Sequence, residues 1–275
     1  MDRLSPFFSH FTLSARVFFS GKLCGVSSDH VTKSAGHLHV LRSGVLKILQ
    51  PCCEPVIISE PTVLLYPRAV NHTFQSEGAD ILCAFVEFGT GMMNPLATGL
   101  PNLLTISLAS VPALEPTVAL LFAEAFDYKD GRQVAVDRLA EYFLLLVLRS
   151  AIDSKLIQGG VLSALSDSRL AKALMAIHAQ PDRAFSLEGL AHIAGMSRAR
   201  FASHFLATVG RTPFEYLTVW RIGVAQSLLK KGESLKMIAP TVGYASTAAL
   251  IRSFSQHVGL PPMAWLADQQ RSEGN

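Results

Sequence analysis

With 275 residues, 49% of them hydrophobic and 16% charged, the chain can bury two ordinary cores and is not a disordered polymer. Its longest apolar runs, such as Tyr142 to Leu148, fall far short of the roughly 20 residues a membrane span needs. The opening MDRLSPFFSHF has no continuous apolar stretch of the secretory kind, so a cytoplasmic protein without a membrane partner is expected. The formal net charge of +3 is unevenly placed: residues 168–275 carry 12 Lys/Arg against 6 Asp/Glu, and residues 1–167 carry 12 against 15. A basic end on a mildly acidic body points to a polyanionic partner.

From about residue 17 to 110 the pattern is β. Short apolar runs (Leu38 to Leu41, Val45 to Leu49, Val56 to Ile58, Val63 to Tyr66, Ile81 to Phe88) alternate with Gly, Pro, Asn and Ser, as in a sandwich or small barrel. From Leu114 the period becomes helical, over Leu114 to Phe126 and Val134 to Ile152, with DYKDG as the turn between them. The second helix, VAVDRLAEYFLLLVLRSAI, is apolar on more than one face. It asks for two covering surfaces, its own barrel and a second subunit, and a homodimer is expected; enclosure within its own domain is the alternative. SKLIQGGVLSALSDS, Ser154 to Ser168, reads as a linker around Gly159-Gly160. The division is then 1–153 for a sensor domain, 154–168 for the linker and 169–270 for an all-helical domain.

That helical domain repeats itself. Ser186-Leu187, Ala191 and Gly195 recur 48 residues later as Ser234-Leu235, Ala239 and Gly243. With one residue added in the turn, Phe201, Phe205, Gly210 and Pro213 match Leu250, Phe254, Gly259 and Pro262. Each copy predicts a short helix, a Gly turn and a second helix capped by Ser197 or Ser246, with Phe201/Phe205 or Leu250/Phe254 turned inward at i, i+4. Phe214 to Lys230 joins the copies as one amphipathic helix with an apolar stripe at Leu217, Trp220, Val224 and Leu228. Pro240 removes a donor inside a short helix, and a local distortion between Lys236 and Pro240 is expected. Two helix-turn-helix units on one rigid connection suit successive major grooves on one face of DNA.

SLEGLAHIAGMSRARFASHFLATVGRTPFEYL and IAPTVGYASTAALIRSFSQHVGLPPMAWL resemble the DNA-binding domain of AraC/XylS-type transcription regulators. HLHVLRSGVLKI and LLYPRAVNHTF are similar to the cupin-type sensor domain that many of these carry. The resemblance implies a multidomain α+β chain, a cupin-like β-barrel with trailing helices followed by seven helices containing two helix-turn-helix units. It also implies promoter DNA and RNA polymerase as partners, activation of transcription, no enzymatic activity and no cofactor. Carried over by position, Ala199, Ala202 and Ser203 fall on the base-facing side of the first reading helix, and Thr247, Ala248, Ile251 and Arg252 on that of the second. Alanine offers only apolar contact, for instance to a thymine methyl, so direct reading should be thin. Arg252 is the candidate base reader, and Arg198 and Arg200 the candidate phosphate contacts.

The signal is less legible. His37, His39 and His72 have the spacing that enzymatic cupins use around a metal, but Arg42 and Ser43 stand where the carboxylate would follow. The reading taken is a metal-free sensor for a small-molecule effector or for thiol oxidation. Cys24 and Cys83 are the redox candidates, by resemblance to hypochlorite-responsive members of the family; each needs an accessible thiolate to respond. Cys52-Cys53 are adjacent, and a bridge between them would be strained. A metal-dependent cupin enzyme with an appended helical domain is the alternative function. A helical protein-interaction module is a third reading, and it leaves the Gly/Ser/Arg placement in both repeats unexplained.

Overall fold

Two strands of 16 residues, β1 (Leu13–Ser28) and β6 (Thr73–Phe88), run antiparallel along their whole length, from Leu13 opposite Phe88 to Ser28 opposite Thr73. With β2 (Gly36–Ser43), β3 (Leu46–Leu49), β4 (Val56–Ile58), β5 (Thr62–Tyr66) and β7 (Leu104–Ser107) they make one seven-stranded sheet. Its order is β4-β3-β6-β2-β5-β7, with β1 on β6. The computed structural model describes residues 2–28, 35–51, 54–89, 94–127, 129–154, 157 and 159–273. The expected sandwich or barrel is a single curled sheet, a half-barrel of cupin type. β2 is buried from Gly36 to Leu41, which is why it reads as a continuous apolar run rather than an alternation. Leu41, Leu46, Ile48, Leu64, Phe74, Ile81 and Cys83 share one core cluster.

Helices α3 (Glu115–Phe126, with Pro116 in its first turn) and α4 (Arg132–Asp153) complete this unit. The ladder between β1 and β6 shifts register between Val17 and Phe19, a bulge that leaves backbone groups unpaired. α4 supplies their partners: Val17 N–H donates to Asp137 Oδ1 at 2.8 Å, and Gln133 Nε2 donates to Val17 O at 2.8 Å. α4 buries Val136, Ala140, Phe143, Leu144, Val147 and Leu148, whereas Val134 and Tyr142 are exposed. The apolarity of this helix is therefore only partly spent inside its own unit.

The second unit comprises Met1–Thr12, Gly89–Gly99 and Lys155–Asn275, and the sheet unit Leu13–Phe88 and Leu100–Ser154. The expected division at 153 and 168 did not anticipate that two segments of the N-terminal half pack among the helices. These segments form α1 (Ser5–His10) and α2 (Pro95–Gly99). The stretch read as a linker contains α5 (Gly160–Ser166), whose Val161, Leu162, Ala164 and Leu165 are all buried. Apolar residues at i, i+1, i+3 and i+4 form a helical face, and here that face is core. Seven helices follow: α6 (Leu170–Ala179), α7 (Leu187–Ile193), α8 (Arg198–Val209), α9 (Pro213–Lys230), α10 (Leu235–Thr241), α11 (Thr247–Val258) and α12 (Pro262–Glu273).

α1 is held by aromatic packing. Phe7 is fully buried, edge-on to His178 at 4.5 Å and to Trp220 at 5.1 Å, and Phe11 meets Trp220 at 5.2 Å. Arg3 Nη1 donates to Leu165 O at 3.0 Å, and Ser227 Oγ donates to His10 O. Phe7→Ala should cost the helical unit about 3–5 kcal/mol, read from urea unfolding. His178 is fully buried, its Nε2 2.7 Å from Tyr216 Oη. Burial, with His10 nearby, lowers its pKa from 6.5 to about 3. Between those values the unfolded chain holds the extra proton, so this group's contribution to stability falls with pH by about 1.4 kcal/mol per unit. The urea midpoint of wild type should drop more steeply than that of His178→Phe between about pH 7 and pH 5.

Candidate nucleic-acid interface

The repeat in sequence is a repeat in backbone geometry. α7 and α10 are seven residues each, and α8 and α11 twelve each. Each short helix closes through the same three bonds. Ala194 N donates to Leu190 O at 3.0 Å, Gly195 N to His192 O at 2.9 Å, and Met196 N to Ala191 O at 2.9 Å. In the second unit Val242 N donates to Ile238 O at 3.0 Å, Gly243 N to Pro240 O at 3.0 Å, and Tyr244 N to Ala239 O at 2.8 Å. Gly195 and Gly243 sit at φ +64° and +77°, left-handed values that favour glycine. The distortion expected near Pro240 alters neither the length of α10 nor its closing turn. Proline removes only the donor toward Lys236 O, and the helix ends one residue later. Capping departs from expectation once. Ser246 Oγ accepts from Ala249 N at 3.2 Å, but Ser197 fills the equivalent position without a side-chain bond.

α8 buries Phe201 and Phe205, and α11 buries Leu250 and Phe254. Opposite these, Arg198, Ala199, Arg200 and Ser203 are exposed and Ala202 half-buried; Ala248 and Arg252 are exposed, Thr247 and Ile251 half-buried. The guanidinium groups of Arg198, Arg200 and Arg252 have no ion-pair or hydrogen-bond partner among the described residues. Three cations on two equivalent outer faces are thus uncommitted to any described residue.

Arg221, in the middle of α9, behaves otherwise. Its Nε donates to Pro181 O at 2.7 Å and its Nη2 to Arg183 O at 3.1 Å, both in the turn before the first unit. Its guanidinium lies 5.9 Å from the ring of Tyr244 in the second unit, whose hydroxyl is 2.7 Å from Ser253 Oγ on α11. A Cβ built on Gly243 would stand 2.8 Å from Arg221 Cζ and 2.9 Å from the Asp182 backbone. The sequence pattern gave Arg221 no such role, because its partners are backbone carbonyls 38 to 40 residues away.

A family model described as "Cupin" matches residues 2–153, and one described as "Helix-turn-helix domain" matches residues 190–268. The chain belongs to the AraC/XylS-type transcription regulators with an N-terminal cupin domain. An uncharacterized HTH-type transcriptional regulator of Haemophilus influenzae is 39% identical over 61% of this chain and 56% of its own length. The chain thus spans little more than half of that relative. The RCS-specific HTH-type transcriptional activator RclR of Escherichia coli is 29% identical over 88% of this chain and 89% of its own. The crystal structure of ToxT from Vibrio cholerae is 14% identical, covering 94% of this chain and 97% of that one, with a TM-score of 0.42. The relatives are named as transcriptional regulators or activators rather than as enzymes.

In this AraC-type regulator the sheet brings the three histidines together. His37 and His39 lie on one face of β2, and their ring nitrogens and that of His72 lie within 4.8 Å of one another, all buried. His72 Nδ1 is 2.8 Å from Val70 O, which aims its Nε2 at His39 Nε2, 2.9 Å away. Burial, then His72 and His37, push the His39 pKa well below 6.5 and keep it neutral. Three imidazoles placed this way could hold a borderline divalent ion such as zinc. Among the described residues no carboxylate joins the cluster, and Arg42 pairs with Asp80 at 2.7 Å.

Cys24 is exposed and Cys83 buried. Cys24 lies opposite Glu77, six residues along β6 from Cys83, or about 20 Å at strand spacing. A disulfide needs its Cα atoms within about 7 Å, so this fold does not let the two bridge. Cys52 and Cys53 lie outside the described residues.

The two turn glycines separate backbone strain from close approach. Nothing lies within 4 Å of a Cβ at Gly195, so Gly195→Ala should cost about 1 kcal/mol. Gly243→Ala should cost distinctly more, because Arg221 and the Asp182 backbone must both yield. Thermal unfolding of the two variants side by side is the check.

Proposed function

We propose that the chain is a transcription regulator that binds promoter DNA through both helix-turn-helix units, with the cupin domain setting occupancy. The observation that carries this reading is the pair of geometrically equivalent units whose outer faces hold Arg198, Arg200 and Arg252 without side-chain partners among the described residues. Arg252 reads a base edge, Arg198 and Arg200 hold phosphate, and Ala199, Ala202, Ser203, Thr247, Ala248 and Ile251 line the approach. Activation follows the naming of one relative as a transcriptional activator, and RNA polymerase is the partner through which it would act. The apolar outer surface of α3 and α4, with Leu120, Phe126, Val134 and Tyr142 exposed, favours a homodimer. The signal reaches the sheet unit as a small-molecule effector or as oxidation. In the second case it begins at Cys24, the thiol that solvent reaches, and a Cys24→Ala variant then loses its oxidant response.

The test is fluorescence anisotropy on a duplex selected from random-sequence DNA by the full-length chain. Arg252→Ala should cost about 1–3 kcal/mol and relax preference at one base position. Arg198→Ala should weaken all sequences alike and lower the salt slope by about 1. A wild-type chain that selects no duplex, or binds without salt dependence, would end this reading.

A further inference from the structure

The outer face of α8 does not end at its own side chains. Arg200, Ser203 and His204 form one wall of an open groove of about 790 Å³, and the turn from α5 into α6, with Asp167, Ser168 and Arg169, forms the other. This turn lies outside both repeats and outside the 190–268 match. Arg169 and Arg200 are exposed, and neither guanidinium has a partner among the described residues. The single carboxylate lining the groove is already engaged: Asp167 Oδ2 is 2.7 Å from His204 Nε2, and its Oδ1 accepts from Arg169 N at 2.8 Å and Leu170 N at 3.0 Å. Burial would raise its pKa, but those bonds outweigh it and hold Asp167 ionised.

Geometry then decides what reaches this groove. A helix with its side chains is about 10–12 Å across, and the major groove of DNA is about 12 Å wide. A helix seated there has a row of phosphates within one side chain's reach of each flank. The flank of α8 carrying Arg200 and His204 is the one that the Ser168–Arg169 turn extends.

We propose that this groove seats the DNA backbone beside the first reading helix, with Arg169 and Arg200 as its paired cations and Ser168 and Ser203 as hydroxyl donors. The inference rests on the DNA-binding reading and adds to it a contact from outside the helix-turn-helix motif. Because the contact is to phosphate, it adds affinity and fixes register without sequence preference.

The test uses the full-length chain and the same selected duplex, titrated between about 50 and 200 mM salt. Arg169→Ala should weaken binding roughly 3- to 10-fold and lower the salt slope by about 1. Asp167→Asn keeps an oxygen to cap α6 and removes the groove's negative charge, so it should tighten binding roughly 2- to 5-fold. Opposite signs from two neighbouring residues would not arise from misfolding. Unchanged affinity and slope for Arg169→Ala overturns the proposal. So does an equal loss from Arg149→Ala, an exposed cation of the sheet unit, because net charge alone would then account for the effect. If Arg198→Ala and Arg252→Ala weaken binding while Arg169→Ala does not, the DNA reading stands and only the groove fails. A wild-type chain that binds no duplex removes both.

Discussion

A half-buried guanidinium in the middle of one helix holds the DNA-binding unit in register. Arg221 donates to Pro181 O and Arg183 O ahead of the first helix-turn-helix unit and lies beside Tyr244 and Gly243 in the turn of the second. Burial lowers its pKa, with Tyr244 and Asp182 opposing the shift, yet a guanidinium stays charged in proteins. Two planar N–H groups satisfying two carbonyls is a geometry that a lysine cannot reproduce. The absence of a side chain at Gly243 lets the Asp182 backbone and the guanidinium approach together. If both units bind DNA as proposed, units fixed this way would meet it pre-oriented, and the ordering cost of the second contact would be reduced before binding.

The helix carrying Arg221 is buried on nearly every side. α9 encloses Val219, Trp220, Ile222, Val224 and Ala225, and also Gln226 and Ser227, whereas a helix with one wet face buries a single stripe. The extra cover at Trp220 and Ser227 comes from the start of the chain, where Phe7, Phe11 and the His10 carbonyl meet them. The first residues of the polypeptide therefore complete the core of a unit made mostly from its last 120 or so, as domain cores are completed wherever apolar surface must be covered. Immediately after this segment the chain enters β1 at Leu13, so the strand that runs beside β6 in the sheet unit is covalently continuous with a piece of the helical core.

What was legible in the sequence was whatever local backbone chemistry dictates. Gly195 and Gly243 announce left-handed turns, Pro213 and Pro262 open α9 and α12, and the Phe201/Phe205 and Leu250/Phe254 spacing marks two inward faces. The His37-x-His39 alternation was legible for the same reason, since a strand puts both rings on one face. What was not legible depends on partners distant in the chain. Val161 to Leu165 looked like a small-residue linker because nothing nearby in sequence says that α5 has a surface to cover. Cys24 and Cys83 looked like a pair until the β1–β6 register, with its two shifts, set them far apart. Arg221 carried no signal in the sequence, because its hydrogen-bond acceptors belong to a turn that no pattern marks.

The alanines at the reading positions give the lock at Arg221 a further consequence. On the proposed DNA-binding reading, Ala199, Ala202 and Ala248 would distinguish little beyond a thymine methyl, so few base pairs would be read directly. A rigid pair of units is also a ruler: it engages both major-groove segments only where their separation and twist match its own, and it charges a deformation energy elsewhere. On that reading selectivity would reside less in any one side chain than in the relative placement of α8 and α11, to which the contacts of Arg221 and Gly243 contribute. Cations that hold phosphate strengthen such a ruler without blurring it, since they add affinity equally at every site. In a reader built this way, loosening the connection would degrade specificity sooner than removing a base contact.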